Sequence, residues 1–137
     1  MIFVTEMDID NASYRQVVED LTALYGKKIA PFHLPIRENE KFVGYINVIS
    51  ETGHRWQGKE VVDCEIPDYS KPNLQICKDT LLEAVAETSE EFMDRFFNGD
   101  TFSEAEIRAA LRMIINDGSI GPMSMGSNIL CQCIYTL

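Results

Sequence analysis

Three polar residues, Thr5, Glu6 and Asp8, follow directly on the strand-like run Ile2-Phe3-Val4 and precede a helix-forming stretch. By residue type alone, Asp8 is an acid at a helix start, where a carboxylate complements the helix dipole. Near the other end, SIGPMSM reads as a short strand that closes in a small-residue loop, Gly126-Ser127-Asn128. Cys131 and Cys133 form a Cys-x-Cys pair that suggests metal. A closed zinc site needs four suitably spaced ligands, and His33 and His54 stand far off in sequence, so the simpler reading is a pair of small buried hydrophobes. His33 alternates with Phe32 and Leu34 in a strand and reads as an outward or satisfied polar side chain. His54, beside Arg55 and Trp56, falls at an expected hairpin tip, as a solvated turn or a contact surface.

The rest of the composition bounds what such residues can serve. The chain has 137 residues and is 45% hydrophobic, enough to bury its apolar side chains in one domain or two small lobes. Its 22 acidic against 12 basic residues give a formal charge of -10. That argues against direct nucleic-acid binding, which needs a basic stripe, and favours a basic protein surface or plain solubility. Neither a secretory leader nor a membrane span is legible, and the four cysteines lack the spacing of a secreted framework, so the expected setting is the reducing cytoplasm.

The elements follow from periodicity and punctuation. Asp10 and Asn11 offer caps, and Tyr14, Val17, Val18, Leu21 and Leu24 recur at helical spacing until Gly26. KIAPFHLPI reads as one strand, pushed by Pro31 and Pro35 towards a sheet edge or a lobe boundary. Strand, helix, strand is a crossover unit of a mostly parallel sheet. After the polar stretch 37–41, FVGYINVI and EVVDCEI read as an antiparallel hairpin turning around Thr52 and Gly53. Past Pro67 the pattern is helical: Leu74, Cys77, Leu81, Leu82 and Val85 share a face behind Pro72. Thr88 with Glu91, and Ser103 with Glu106, have capping-box spacing and announce helices over EEFMDRFF and EAEIRAALRMIIN. The helical and hairpin middle reads as an insertion between two pieces of one α/β sheet.

With these elements in order, a family resemblance emerges. Ile2-Phe3-Val4-Thr5-Glu6-Met7-Asp8 resembles the strand carrying the guanine-specificity motif Asn-Lys-x-Asp of translational GTPases of the elongation factor G type. IAPFHLPIREN, FVGYINVI, the Glu65-Ile66-Pro67 turn, LLEAVAETSEEFMDRFFNGDTFSEAEIRAALR and PMSMGSN are similar to parts of that factor in the same order, over nearly the whole chain. The resemblance implies the later part of a P-loop GTPase (Rossmann-like) sheet, class α/β, with the inserted subdomain called G prime. The implied division is 1–36 and 119–137 for the GTP-binding domain and 37–118 for an α+β insertion of one hairpin and about three helices.

The resemblance also implies roles. Asp8 would accept the ring N–H and the exocyclic amino group of guanine, a donor pair that adenine lacks. Gly126-Ser127-Asn128 matches the family's Gly-Ser-Ala loop, where Ser127 would steady the Asp and the backbone of Asn128 would reach the guanine oxygen. The motif's Asn and Lys stand as Thr5 and Glu6, which puts a second carboxylate beside Asp8, repulsive by about 1 kcal/mol. The parent's reaction would be GTP hydrolysis coupled to ribosomal translocation, with GTP or GDP and Mg²⁺ as cofactors. Within these 137 residues there is no G-x-x-x-x-G-K-S/T loop and no D-x-x-G segment. The chain alone is therefore expected to contain no catalytic residue, to need no cofactor of its own and not to hydrolyse GTP, as a fragment of a larger enzyme.

Expected partners are the ribosome in the parent and guanine nucleotide, with no membrane and no direct nucleic acid. The acidic residues Glu83, Glu87, Glu90, Glu91, Asp94, Asp100, Glu104 and Glu106 are either the wet faces of amphipathic helices or a surface for the C-terminal domain of the ribosomal stalk protein, the family's G prime partner. A ribosome-protection or release-type relative, a degenerate paralogue that no longer prefers guanine, to which Thr5 and Glu6 point, and an acidic protein-interaction module descended from such a domain are the alternative readings.

Overall fold

The computed structural model describes residues 1–9, 12–58 and 60–127. Strand β1 (Ile2–Val4) leads to helix α1 (Tyr14–Tyr25), then β2 (Ile29–Pro31), β3 (His33–Glu38), β4 (Lys41–Asn47), β5 (Thr52–Gln57) and β6 (Glu60–Cys64). Helices α2 (Lys71–Ala86), α3 (Glu90–Asn98) and α4 (Glu104–Asn116) follow, and β7 (Gly121–Met125) is the last element among the described residues. The result is a mixed α/β structure with one parallel and one antiparallel sheet. The parallel sheet has the order β1-β7-β2, so the last strand enters between the first two; the antiparallel sheet runs β3-β4-β5-β6.

The segment expected to be one strand is two. β2 pairs with β7 and ends at Pro31, and β3 belongs to the other sheet. Phe32 is the joint: its N–H donates to Met123 O at 2.8 Å, and its carbonyl accepts from Val48 N at 3.0 Å. Proline has no N–H with which to carry a ladder onward, so the chain can leave one sheet here and enter the next. Pro35 lies in β3, an edge strand, where a missing donor costs least.

The expected hairpin is a four-stranded antiparallel sheet. The turn after β4 falls at 48–51, ahead of Thr52 and Gly53, because Asn47 Oδ1 accepts from Ile49 N (3.0 Å) and Ser50 N (3.2 Å). That side chain overrides the strand propensity of Val48 and Ile49, and Val48 buries inward at 1% exposure. His54, Arg55 and Trp56 therefore lie inside β5 and not at a tip. His54 and Trp56 pack on Tyr45, with ring centroids 5.0 and 5.8 Å away, and Trp56 also on Phe42 at 4.7 Å.

Three of the helix starts show how local chemistry sets them. Asp10 and Asn11 lie outside the described residues, and α1 is capped by Ser13, whose Oγ accepts from Gln16 N at 3.3 Å. For α3 the cap is Ser89, accepting from Phe92 N at 3.1 Å, one residue beyond the expected Thr88; the Thr88 hydroxyl donates back to Val85 O. The α4 box is as the spacing predicts, with Ser103 Oγ accepting from Glu106 N (3.3 Å) and Glu106 Oε2 accepting from Ser103 N (2.8 Å). Glu106 also takes Arg95 at 2.7 Å, which ties α3 to α4, and the Arg95 guanidinium stacks over Phe102 at 4.8 Å. Ser103→Ala is expected to destabilise the fold by about 1 kcal/mol, read as a lowered urea midpoint; an unchanged midpoint would mean that the Arg95 pair alone holds this helix start.

The core joins both sheets with α1, α2 and α4, with Ala30, Ile46, Val85, Met123 and Met125 fully enclosed, and α3 packs against it through the partly buried Phe92. Tyr14, the one fully buried residue of α1, places its hydroxyl where no partner reaches it, and burial holds that phenol far above its ordinary range. Removing an unsatisfied buried hydroxyl while keeping the ring should cost nothing. Tyr14→Phe is expected to stabilise the chain by roughly 1 kcal/mol, and a measured loss of stability would show that the hydroxyl has a partner in solution.

Candidate functional site

The parallel pairing of β1 with β7 decides where the polar residues of the two ends meet. The register sets Ile2 against Met123 and Val4 against Met125, so both strands point the same way and their carboxyl ends emerge together. Ligands of open parallel sheets sit at such an edge, because the loops leaving adjacent strands diverge there. The ladder continues past the strands: Gly126 N donates to Val4 O at 2.9 Å, and Met7 N donates to Gly126 O at 3.2 Å. Residues 5–8 and the Gly126-Ser127 loop thus lie side by side.

Within this pair, Thr5 and Glu6 are exposed. Glu6 takes a left-handed backbone, φ 59°, uncommon for a residue with a side chain. A turn closes behind it, with Ile9 N donating to Glu6 O at 3.3 Å. Met7 drives its side chain into the core at 1% exposure, and Asp8 is half-buried. Asp8 Oδ1 is cut off from solvent and has no hydrogen-bond partner. Leaving such an acceptor unpaired costs about 1–3 kcal/mol, which a native structure rarely spends without a ligand or a function to account for it. Ser127 is wholly buried at the end of β7. The structure therefore brings Thr5, Glu6, Asp8 and Ser127 to one edge, while Asn128, Cys131 and Cys133 lie outside the described residues.

The two histidines are both structural. His33 is buried at 5% exposure, its Nδ1 lies 2.8 Å from Ser124 Oγ on β7, and its ring meets Tyr45 edge-on at 5.1 Å. Burial, and then the neighbouring His54, push its pKa down to about 4. His54 sits between Asp63 (Nδ1 to Oδ1, 3.1 Å) and Thr52 (Nε2 to Oγ1, 2.9 Å). Cys64 and Cys77 are free thiols, and burial pushes that of Cys77 up to about 11, so it is a packing residue and not a nucleophile.

Among the described residues no three His, Cys, Asp or Glu side chains gather to hold a metal ion. Gly53 and Gly58 stand five apart with Lys59 next, the start of a phosphate-loop spacing, but Glu60 follows where Ser or Thr is required. Gly53 lies within antiparallel β5 and not in a strand-to-helix loop.

Two cavities lie away from the Asp8 edge. One, about 570 Å³, opens between the end of α1, α2 and α4 and is lined by Tyr25, Lys28, Glu83, Glu87, Met113 and Asp117 among others. The other, about 710 Å³, is lined by β5, β6 and the approach to α2, including Asp63, Glu65 and Asp68. Of the acidic residues on and between the helices, Glu87, Glu90, Glu91, Asp94, Asp100 and Glu104 are exposed, and Glu104 pairs with Arg108 one turn on. No helix among the described residues is long and apolar enough to cross a membrane.

The edge geometry has a sequence signal only at one end: a strand that stops on an acid can be read from IFVTEMD, whereas the partner loop is placed by strand order. No protein-family model matches the chain. A crystal structure of a Thermus thermophilus protein superposes on 99% of the chain with a TM-score of 0.88 and 26% identity, and the match covers 20% of that protein. The chain thus spans about a fifth of the length of the solved structure it resembles, and it shares that fold almost throughout.

Proposed function

We propose that residues 5–8 and the Gly126-Ser127 loop take the guanine base of GTP or GDP, as part of a translational GTPase similar to elongation factor G. The observation that carries this reading is the buried, unpartnered Oδ1 of Asp8 at the carboxyl edge of a parallel sheet. An ionised carboxylate only accepts, and guanine offers two adjacent donors that would satisfy it. In this reading the parallel sheet is the later part of a P-loop GTPase sheet, and the antiparallel sheet with α2, α3 and α4 is the inserted G prime subdomain. The parent's GTP hydrolysis at the ribosome, with its phosphate and Mg²⁺ chemistry, is carried by residues other than these 137.

The test is a titration of the isotopically labelled chain with GDP and, separately, ADP. GDP is expected to shift the amide resonances of Asp8 and Ser127 and ADP to leave them in place. Equal shifts from both nucleotides would remove the guanine reading.

A second surface supports a protein partner. The cavity beside α2 and α4 carries Glu83, Glu87 and Asp117 against Lys28, next to exposed Tyr25 and Met113. An acidic rim around apolar side chains suits a basic, partly apolar protein face, consistent with a contact to the ribosomal stalk protein's C-terminal domain. Adding that domain to the labelled chain should broaden resonances of α2 and α4 and spare Asp8.

A further inference from the structure

Asp8 is held through Met7. The Met7 N–H donates to Gly126 O at 3.2 Å, and its carbonyl accepts from Arg37 Nη2, also at 3.2 Å. With the side chain buried as well, Met7 has little freedom, and the left-handed Glu6 before it persists because the next residue is fixed. Arg37 is in turn held on every side. Its Nη1 donates to Glu40 O at 2.8 Å, its backbone N lies 3.0 Å from Tyr69 Oη, and the Tyr69 hydroxyl donates to Arg37 O at 2.9 Å. The register of β3 shifts between Ile36 and Arg37, an irregularity of the kind that re-aims a side chain out of its ladder. Tyr69 lies in the short 3-10 turn Asp68–Ser70 that opens into α2.

We propose that Arg37 is a positioning residue for Asp8: a cation rooted in the antiparallel sheet fixes the Met7 carbonyl, and with it the acceptor one residue on. Tyr69 clasps both backbone groups of Arg37, so the placement of the base-reading acid depends on the turn that leads into α2. This inference rests on the guanine reading for its functional meaning, and its structural part is separately testable.

Arg37→Met keeps the aliphatic stem and removes the donors; Tyr69→Phe removes only a hydroxyl from a side chain that is 59% exposed, so folding is not at stake. In Arg37→Met, hydrogen exchange of the Met7 amide is expected to rise about tenfold while buried amides of α4 stay unchanged, and guanosine affinity to fall about tenfold, the worth of one hydrogen bond from a charged donor. Tyr69→Phe should move both quantities the same way by roughly threefold. Unchanged Met7 exchange in both variants, or a rise shared equally by α4, overturns the proposal. Asp8→Ala is the control: if it leaves guanosine binding intact, the guanine reading falls, while Met7 exchange still decides whether Arg37 holds the loop.

Discussion

Under the proposed guanine reading, Asp8→Asn is expected to abolish a preference for guanosine over adenosine and to pass it to xanthosine. Guanine presents two donors side by side, and an ionised carboxylate can accept both. Each such charge-assisted bond is worth about 1.5–3 kcal/mol, so losing the match should cost roughly a hundredfold in affinity or more. An asparagine offers one acceptor and one donor group, which fits the N–H and carbonyl that xanthine presents at the same edge.

The same substitution has a consequence without any ligand. Because Oδ1 makes no hydrogen bond that the amide would break, the substitution should leave the free chain no less stable. Loss of guanosine preference together with unimpaired folding separates a recognition acid from a structural one. If Asp8→Asn instead unfolds the chain, the carboxylate serves as a helix-start acid and the recognition role is lost.

The second large effect is on acid stability. His33 titrates at about 4 in the folded chain against an ordinary value of 6.5, because it is buried against Ser124 and Tyr45 with His54 nearby. Above pH 6.5 the ring is neutral folded and unfolded, and its protonation contributes nothing. As pH falls from 6.5 towards 4, the unfolded chain binds a proton that the folded chain refuses, so stability declines across this window, by roughly 3 kcal/mol in all. Arginine-paired Glu106 acts in a separate, lower window. Its carboxyl is held down at about 2 by Arg95 and then by Ser103, so its contribution is complete above pH 4.5 and is lost as pH falls towards 2. Urea unfolding at pH 7 and at pH 4.5, for the wild-type chain and for His33→Gln, isolates the histidine. The wild-type midpoint should drop steeply and that of the variant much less; parallel drops would assign the acid sensitivity elsewhere.

Much of this molecule can be read from local chemistry. The apolar face of α2, the capping box of Ser103 and Glu106, the strand before Asp8 and the strand-helix-strand unit all depend on residues within a few positions of one another. Where the reading fails, a competing local bond or a distant partner has intervened. Asn47 captures the amides of Ile49 and Ser50 and moves a turn, and Ser89 displaces Thr88 as a cap. Pro31 ends a ladder and lets Phe32 bond to both sheets, which no periodicity in KIAPFHLPI announces.

By itself, then, the amino-acid sequence determined the helices, the acidic surface and the presence of an acid at the end of an apolar strand. The tertiary structure alone decided that β7 threads between β1 and β2, so that the Gly126-Ser127 loop runs beside residues 5–8, that the Oδ1 of Asp8 is buried without a partner, and that Arg37 reaches across from the other sheet to Met7. The physical reason is that caps and amphipathic faces are set by neighbours along the chain. Strand order and hydrogen bonds between sheets are set by the burial of the whole core, which no short stretch of residues contains.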